Sequence, residues 1–95
     1  MSEADRLEAA WRSPAGAAAI AVLQLKGSER AMREALGAEP PPPGRTALRT
    51  LAIDDDALLL RTDAHTLLVT PHGGPRIRQR LTERLRSEEH TSELQ

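Results

Sequence analysis

The sequence contains no cysteine, no phenylalanine and no tyrosine, and Trp11 is its only aromatic residue. Without cysteine there is neither a disulfide framework nor a thiolate zinc cluster to brace a small core from outside. Without large aromatics, leucine has to supply most of the packing, and a chain of 95 residues has room for one small domain that buries only a modest share of its surface. No stretch approaches the roughly eighteen apolar residues of a membrane span. The opening MSEADRLEAAWR also lacks the basic-then-apolar layout of a secretory signal, so the expectation is a soluble, cytoplasmic chain with no membrane partner. A formal net charge of −1 gives no bulk attraction to nucleic acid.

What is present is organised by punctuation. A Pro/Gly turn over Ser13 to Gly16 precedes an apolar segment, Ala18 to Leu25, that Gly27 closes; its residue types predict a largely buried strand. Ser28 is placed to cap a helix over Glu29 to Leu36, with Ala31, Met32, Ala35 and Leu36 on one face and Gly37 as its terminator. Four successive prolines, Pro40 to Pro43, exclude helix and central strand and predict a stiff extended connector on the surface. RTALRTLAI and ALLLRT then read as strands around an Asp54-Asp55-Asp56 turn, and HTLLVT as a third strand after Asp63 and Ala64. From Pro75 onward Ile77, Leu81 and Leu85 repeat at helical spacing, with Arg76, Arg78, Arg80 and Arg84 on a basic outer face. The order β-α-β-β-β-α predicts an α+β fold, a small mostly antiparallel sheet with two helices.

Chemistry is sparse in these residues. His72-Gly73-Gly74-Pro75 joins a strand to a helix in very few positions, and the free N–H groups of a helix start favour an anion, although a tight corner also requires Gly and Pro for steric reasons alone. His72 has no partner carboxylate at readable spacing, so no catalytic dyad is identified. No P-loop is present: QLKGSER has Lys26 before Gly27 and no upstream glycine, so the sequence offers no GTP site. The three adjacent aspartates lack the spacing of a calcium loop and read as a solvated turn, and no metal site is expected. The arginine face carries no interleaved aromatics and reads as a solvated helix surface, with tRNA contact as the alternative.

Taken together, SPAGAAAIAVLQLKG and LLVTPHGGPRIRQRLTERL resemble the amino-terminal domain of the tRNA-modification GTPase family called TrmE or MnmE. Members of that family typically carry a stretch like TPPGRGGIGIIRVSG near the start and, some way downstream, a strand, HGGP and a helix. Ser13, Pro14, Gly16, Ile20, Val22, Leu25 and Gly27 fall on the first pattern, and His72, Gly73, Gly74 and Pro75 on the second. The resemblance implies a folate-binding, dimerising α+β domain ahead of a helical domain and a GTPase domain. It further implies a tetrahydrofolate derivative as one-carbon donor, and tRNA and a flavoprotein as partners in modification of the wobble uridine. Carried onto this chain, the cofactor-binding positions are Pro14, Gly16, His72, Gly73 and Gly74. Two departures stand out. Where the family has Gly-Arg-Gly-Gly this chain has Gly16, Ala17, Ala18 and Ala19, and the family's longer loop before the HTLLV strand is reduced, with Asp63 as its remnant. The alternative is a degenerate module that keeps a dimerising or interaction role without folate.

The last ten residues, RSEEHTSELQ, resemble the in-frame translation of a common short-read sequencing adapter. The expectation is a TrmE-like domain over 1–85, a fragment of a longer protein, followed by an artefactual tail over 86–95. Without the tail Lys+Arg falls from 13 to 12 and Asp+Glu from 14 to 11, so the formal net charge moves from −1 to +1.

Overall fold

The computed structural model describes residues 7–12, 22–72, 75–87 and 91–94; for Pro75, Ser87 and 91–94 it describes the backbone alone. The elements are β1 (Leu7–Trp11), β2 (Leu23–Gly27), α1 (Glu29–Leu36), β3 (Thr46–Thr50), β4 (Asp56–Asp63), β5 (Thr66–Pro71), α2 (Pro75–Ser87) and β6 (Thr91–Leu94). The strands form one sheet in the order β3-β4-β5-β2-β1-β6. Every pairing is antiparallel except that of β1 with β6, which is parallel with a register irregularity between Leu7 and Glu8. An α+β fold with a mostly antiparallel sheet and two helices is therefore what the chain adopts. The sequence reading has no element before Ala18 and none after α2, so β1 and β6 are additions to it.

α1 forms where its local chemistry specifies. The Ser28 hydroxyl accepts the Ala31 N–H at 3.1 Å, Glu29 stands in the first turn where the helix dipole favours an acid, and Gly37 ends the helix at φ 68 with its N–H on the Arg33 carbonyl. Ala31, Met32, Ala35 and Leu36 are buried, as the periodicity predicts. Beneath them lies one face of the sheet. Leu7 and Ala9 of β1, Leu23 and Leu25 of β2, Leu67 and Val69 of β5 and Ala57 and Leu59 of β4 are all buried, and Leu81 and Leu85 of α2 complete the core. At about 25 cal/mol per Å² this leucine-rich layer is the main source of stability.

Three expectations are revised by packing. The proline run is not wholly on the surface: Pro40 and Pro41 are buried, because the Pro41 carbonyl accepts from the buried Arg61 at 3.1 Å and draws the segment inward. The strand read over RTALRTLAI ends at Thr50, and the turn that follows tucks Leu51 and Ile53 into the core. The arginines of α2 do not form a uniformly solvated face. Arg84 donates to the Ala35 and Glu34 carbonyls at 2.7 and 3.1 Å, serving the carboxyl end of α1, and Arg78 stacks on Trp11.

Arg61 is the one buried charged residue among those described, 3% exposed. Its guanidinium donates to Glu29 Oε1 at 2.6 Å and to the carbonyls of Pro41, Asp63 and Ala64, so it ties α1, the proline segment and the β4–β5 hairpin together. The hydrogen bond from Arg61 holds the Glu29 carboxyl below its ordinary 4.5. The hydrogen bond from the His65 backbone N–H holds Asp63 below its ordinary 3.8. Groups depressed in the folded state stabilise it above their unfolded values and cease to do so as pH falls through their folded ones. Urea unfolding is thus expected to show a midpoint that is flat from neutrality to about pH 5 and falls below it, with Glu29→Gln reducing the fall.

Candidate functional site

β2 and β5 are neighbours that run antiparallel, with Leu23 opposite Val69 and Lys26 opposite Thr66. The start of β2 and the end of β5 therefore lie side by side. The first sequence motif runs into β2 and the second leaves β5, and pairing at long range brings Val22 and His72 to one end of the sheet. β1 ends there too, since Trp11 pairs with Leu23 and the Arg12 N–H donates to the Val22 carbonyl at 2.8 Å.

Of the sequence-derived binding positions, Pro14, Gly16, Gly73 and Gly74 lie outside the described residues. His72 is described, and it sits at the end of β5 with its side chain exposed. Its backbone N–H is shared between the Asp56 carbonyl at 2.9 Å and Asp55 Oδ2 at 3.1 Å, which fixes the strand end against the β3–β4 turn. Asp54 in that turn adopts φ 61, a left-handed conformation that Asp tolerates better than most residues. The aspartate run is thus a structural turn, as expected, in which Asp56 Oδ1 also accepts the Thr50 hydroxyl at 2.7 Å. Asp63 lies at the far end of the sheet from His72. Its Oδ1 accepts the His65 N–H at 2.8 Å, so it acts as a hairpin residue and not as part of this end.

The His72 end carries both signs, with the Asp54 to Asp56 turn against His72 and arginines at the start of α2. α2 begins at Pro75, has no acidic residue in its first turn, and carries Arg76, Arg78 and Arg80 over its first two turns. Cations at a helix start oppose the macrodipole, so this arrangement costs helix stability and raises the local attraction for an anion. Trp11 faces the helix: its indole N–H donates to Thr82 Oγ1 at 3.0 Å, and the Arg78 guanidinium lies 4.6 Å from the ring centroid. Arg12 lies on the opposite face of the sheet, where it donates to Gln24 Oε1 at 2.6 Å. Trp11, Arg12 and Arg78 were not singled out from the sequence as parts of this site. The available signal was the position of the only aromatic and its following arginine immediately before Ser13 to Gly16 in the sequence.

No group of three or more His, Cys, Asp or Glu side chains suited to a metal ion occurs among the described residues. Likewise, no helix among them is long and apolar enough to cross a membrane. Comparison with protein-family models, with curated proteins and with solved structures finds no match for the chain.

Proposed function

We propose that the chain is a divergent amino-terminal domain of the TrmE type that binds a reduced folate at the end of the sheet where β2 begins and β5 ends. The observation that carries the proposal is the antiparallel pairing of β2 with β5, because it gives the two resembling stretches, far apart in sequence, a common end of the fold. A folate presents a flat ring and carboxylates. Glycines allow close approach of backbone to the ring, and an arginine meets a carboxylate in a bidentate fashion. In this reading Pro14, Gly16, Gly73 and Gly74 supply the backbone cradle, His72 a polar contact, and Arg78 on its Trp11 platform the cation that Ala17 no longer provides. The cofactor is then a tetrahydrofolate derivative, the parent activity is modification of the tRNA wobble uridine with a flavoprotein partner, and the domain works as a homodimer in the cytoplasm.

A second reading, a dimerising module without folate, is favoured by one observation: Ala17, Ala18 and Ala19 stand where the family has Arg-Gly-Gly. Calorimetry with a stable reduced folate separates the two. The folate reading expects saturable binding that weakens about tenfold on His72→Ala, the size of one lost hydrogen bond to a charged group, and that disappears on Gly74→Val. A folded protein that gives no saturable heat leaves the second reading.

A further inference from the structure

β3 is the outermost strand at one side of the sheet, and no strand among the described residues pairs with its outer edge. Which backbone groups face outward follows from the register. The Arg61 N–H donates to the Arg45 carbonyl at 3.0 Å and the Leu51 N–H to the Asp55 carbonyl at 2.8 Å, one bond at each end of the β3–β4 pair. Bonded residues alternate along an antiparallel pair, so Ala47 and Arg49 bond to Leu59 and Ala57. The N–H and carbonyl groups of Thr46, Leu48 and Thr50 therefore point away from β4. On the face of the sheet opposite the helices an apolar step adjoins that row, Leu48 at 65% exposure with Leu58 opposite it at 48%. β3 holds no proline and its register with β4 has no bulge, two of the usual guards of a free edge.

We propose that this edge takes up an extended acidic peptide of a partner protein by antiparallel strand addition, with apolar and acidic side chains alternating along the peptide. Charge selects the acid. No ion pair among the described residues includes Arg45 or Arg49. Arg45 is exposed, and Arg49 donates to carbonyls, from Nε to Glu39 at 3.1 Å and from Nη1 to Leu48 at 3.3 Å. The second contact sets the Arg49 guanidinium over the free edge, because the Leu48 carbonyl points there. Neighbouring acids are engaged: Glu39 with Arg33 at 2.8 Å, Asp56 with the Thr50 hydroxyl at 2.7 Å and Asp63 with the His65 N–H at 2.8 Å. Asp54 and Asp55 stand in the turn beyond Thr50, and Asp55 accepts the His72 N–H, so this turn bounds the acidic register at Arg49. Glu8, Arg12 and Lys26, the other charges on the open face, lie at β1 and β2, at least three strands from β3 and so about 14 Å away.

Alternation along a strand sets the peptide pattern. Successive residues of an added strand face opposite sides of the sheet. Those opposite Thr46 and Leu48 lie on the open face, where an apolar side chain covers the Leu48 and Leu58 step. Those opposite Arg45 and Arg49 lie on the helix side, since Arg49 pairs with the buried Ala57, and there a carboxylate meets each guanidinium. From Arg45 to Arg49 the added strand thus reads acid, apolar, neutral, apolar, acid, as in Glu-Val-Thr-Val-Glu. Main-chain bonds to Thr46 and Leu48 supply affinity, and the two arginines and the leucine step select the sequence. The opposite edge of the sheet differs, because the outer side of β1 is paired with β6. The inference stands on β3 and β4 alone and holds whether or not folate binds.

Fluorescence anisotropy of labelled Glu-Val-Thr-Val-Glu titrated with the full chain tests it, with Lys-Val-Thr-Val-Lys as control. Saturable binding of the acidic peptide is expected, at least about tenfold tighter than that of the control. Arg49→Ala is expected to weaken it about threefold and the pair Arg45→Ala and Arg49→Ala about tenfold, the size of one and two exposed ion pairs. N-methylation of both valines removes the amides that bond to Thr46 and Leu48 and leaves the protein untouched; it is expected to abolish binding. No saturable binding, equal binding of the two peptides, or an N-methylated peptide held as well as its parent overturns the proposal. So does tighter binding on replacing the arginines, since they would then only guard the edge against pairing. A chain whose mass rises with concentration until Leu48→Pro removes the edge N–H gives this edge to a second copy, and that result overturns it too.

Discussion

Arg61→Ala is expected to destabilise the domain by about 3 kcal/mol, a fall of roughly 12–24 °C in the thermal midpoint for a domain of this size. The size of the effect follows from what Arg61 leaves behind. The Pro41 and Ala64 carbonyls, which it serves at 3.1 and 2.7 Å, lose their donor, and the first of these bonds is buried. A buried acceptor without a partner forfeits its desolvation cost, typically about 1–3 kcal/mol. The ion pair itself contributes less, because Glu29 keeps 46% of its side chain in water. Glu29→Gln, which retains an acceptor for Nη1, should therefore cost well under half as much. Lysine at position 61 carries the charge but cannot serve Glu29 and three carbonyls from one rigid fork, so Arg61→Lys is expected to recover only part of the loss. Chemical unfolding of the three variants, read as midpoints at constant slope, gives this ranking or refutes it.

Gly37→Val is expected to cost about 3 kcal/mol by a different route. At φ 68 the backbone is in the left-handed region, which a β-branched residue occupies only under strain of about 1–2 kcal/mol. A Cβ at this position would also stand 2.5 Å from the Ala52 Cβ, so the turn carrying Leu51 and Ile53 would have to move out of the core. Combining Gly37→Val with Ala52→Gly relieves the contact and not the dihedral. The double variant should therefore regain part of the loss. Recovery of all of it would mean that the conformation at Gly37 carries no strain.

Local signals were legible where one short stretch contains its own instructions. Ser28, the four apolar positions of α1 and Gly37 specify that helix without reference to anything else, and Ile77, Leu81 and Leu85 do the same for α2. The strands β4 and β5 were legible from residue type and the intervening turn. β1 was not, because LEAAW is short, holds two alanines and a glutamate and has no β-branched residue; it becomes a strand by pairing with β2. Arg61 was hidden for a related reason. ALLLRT is apolar on consecutive positions, so nothing in it says which leucines face inward, and the register with β5 decides that Ala57, Leu59 and Arg61 do.

The candidate site was half legible. His72 to Pro75 reads as a strand-to-helix corner from its residues. That His72 shares an end of the sheet with the start of β2 depends on pairing between residues more than forty positions apart, such as Leu23 with Val69. Trp11 and Arg78 meet only because α2 folds back over β1. Asp63, linked to the site by resemblance, is removed from it by the same topology.

The most direct test of the account is a titration of isotopically labelled protein with a stable reduced folate, followed by backbone and indole amide shifts. The account expects saturable changes grouped at Trp11, Arg12, Val22, His72 and Arg76 to Arg78, with the Asp63 to Thr66 hairpin unmoved. A folded protein whose shifts do not respond, or respond first at that hairpin, contradicts it.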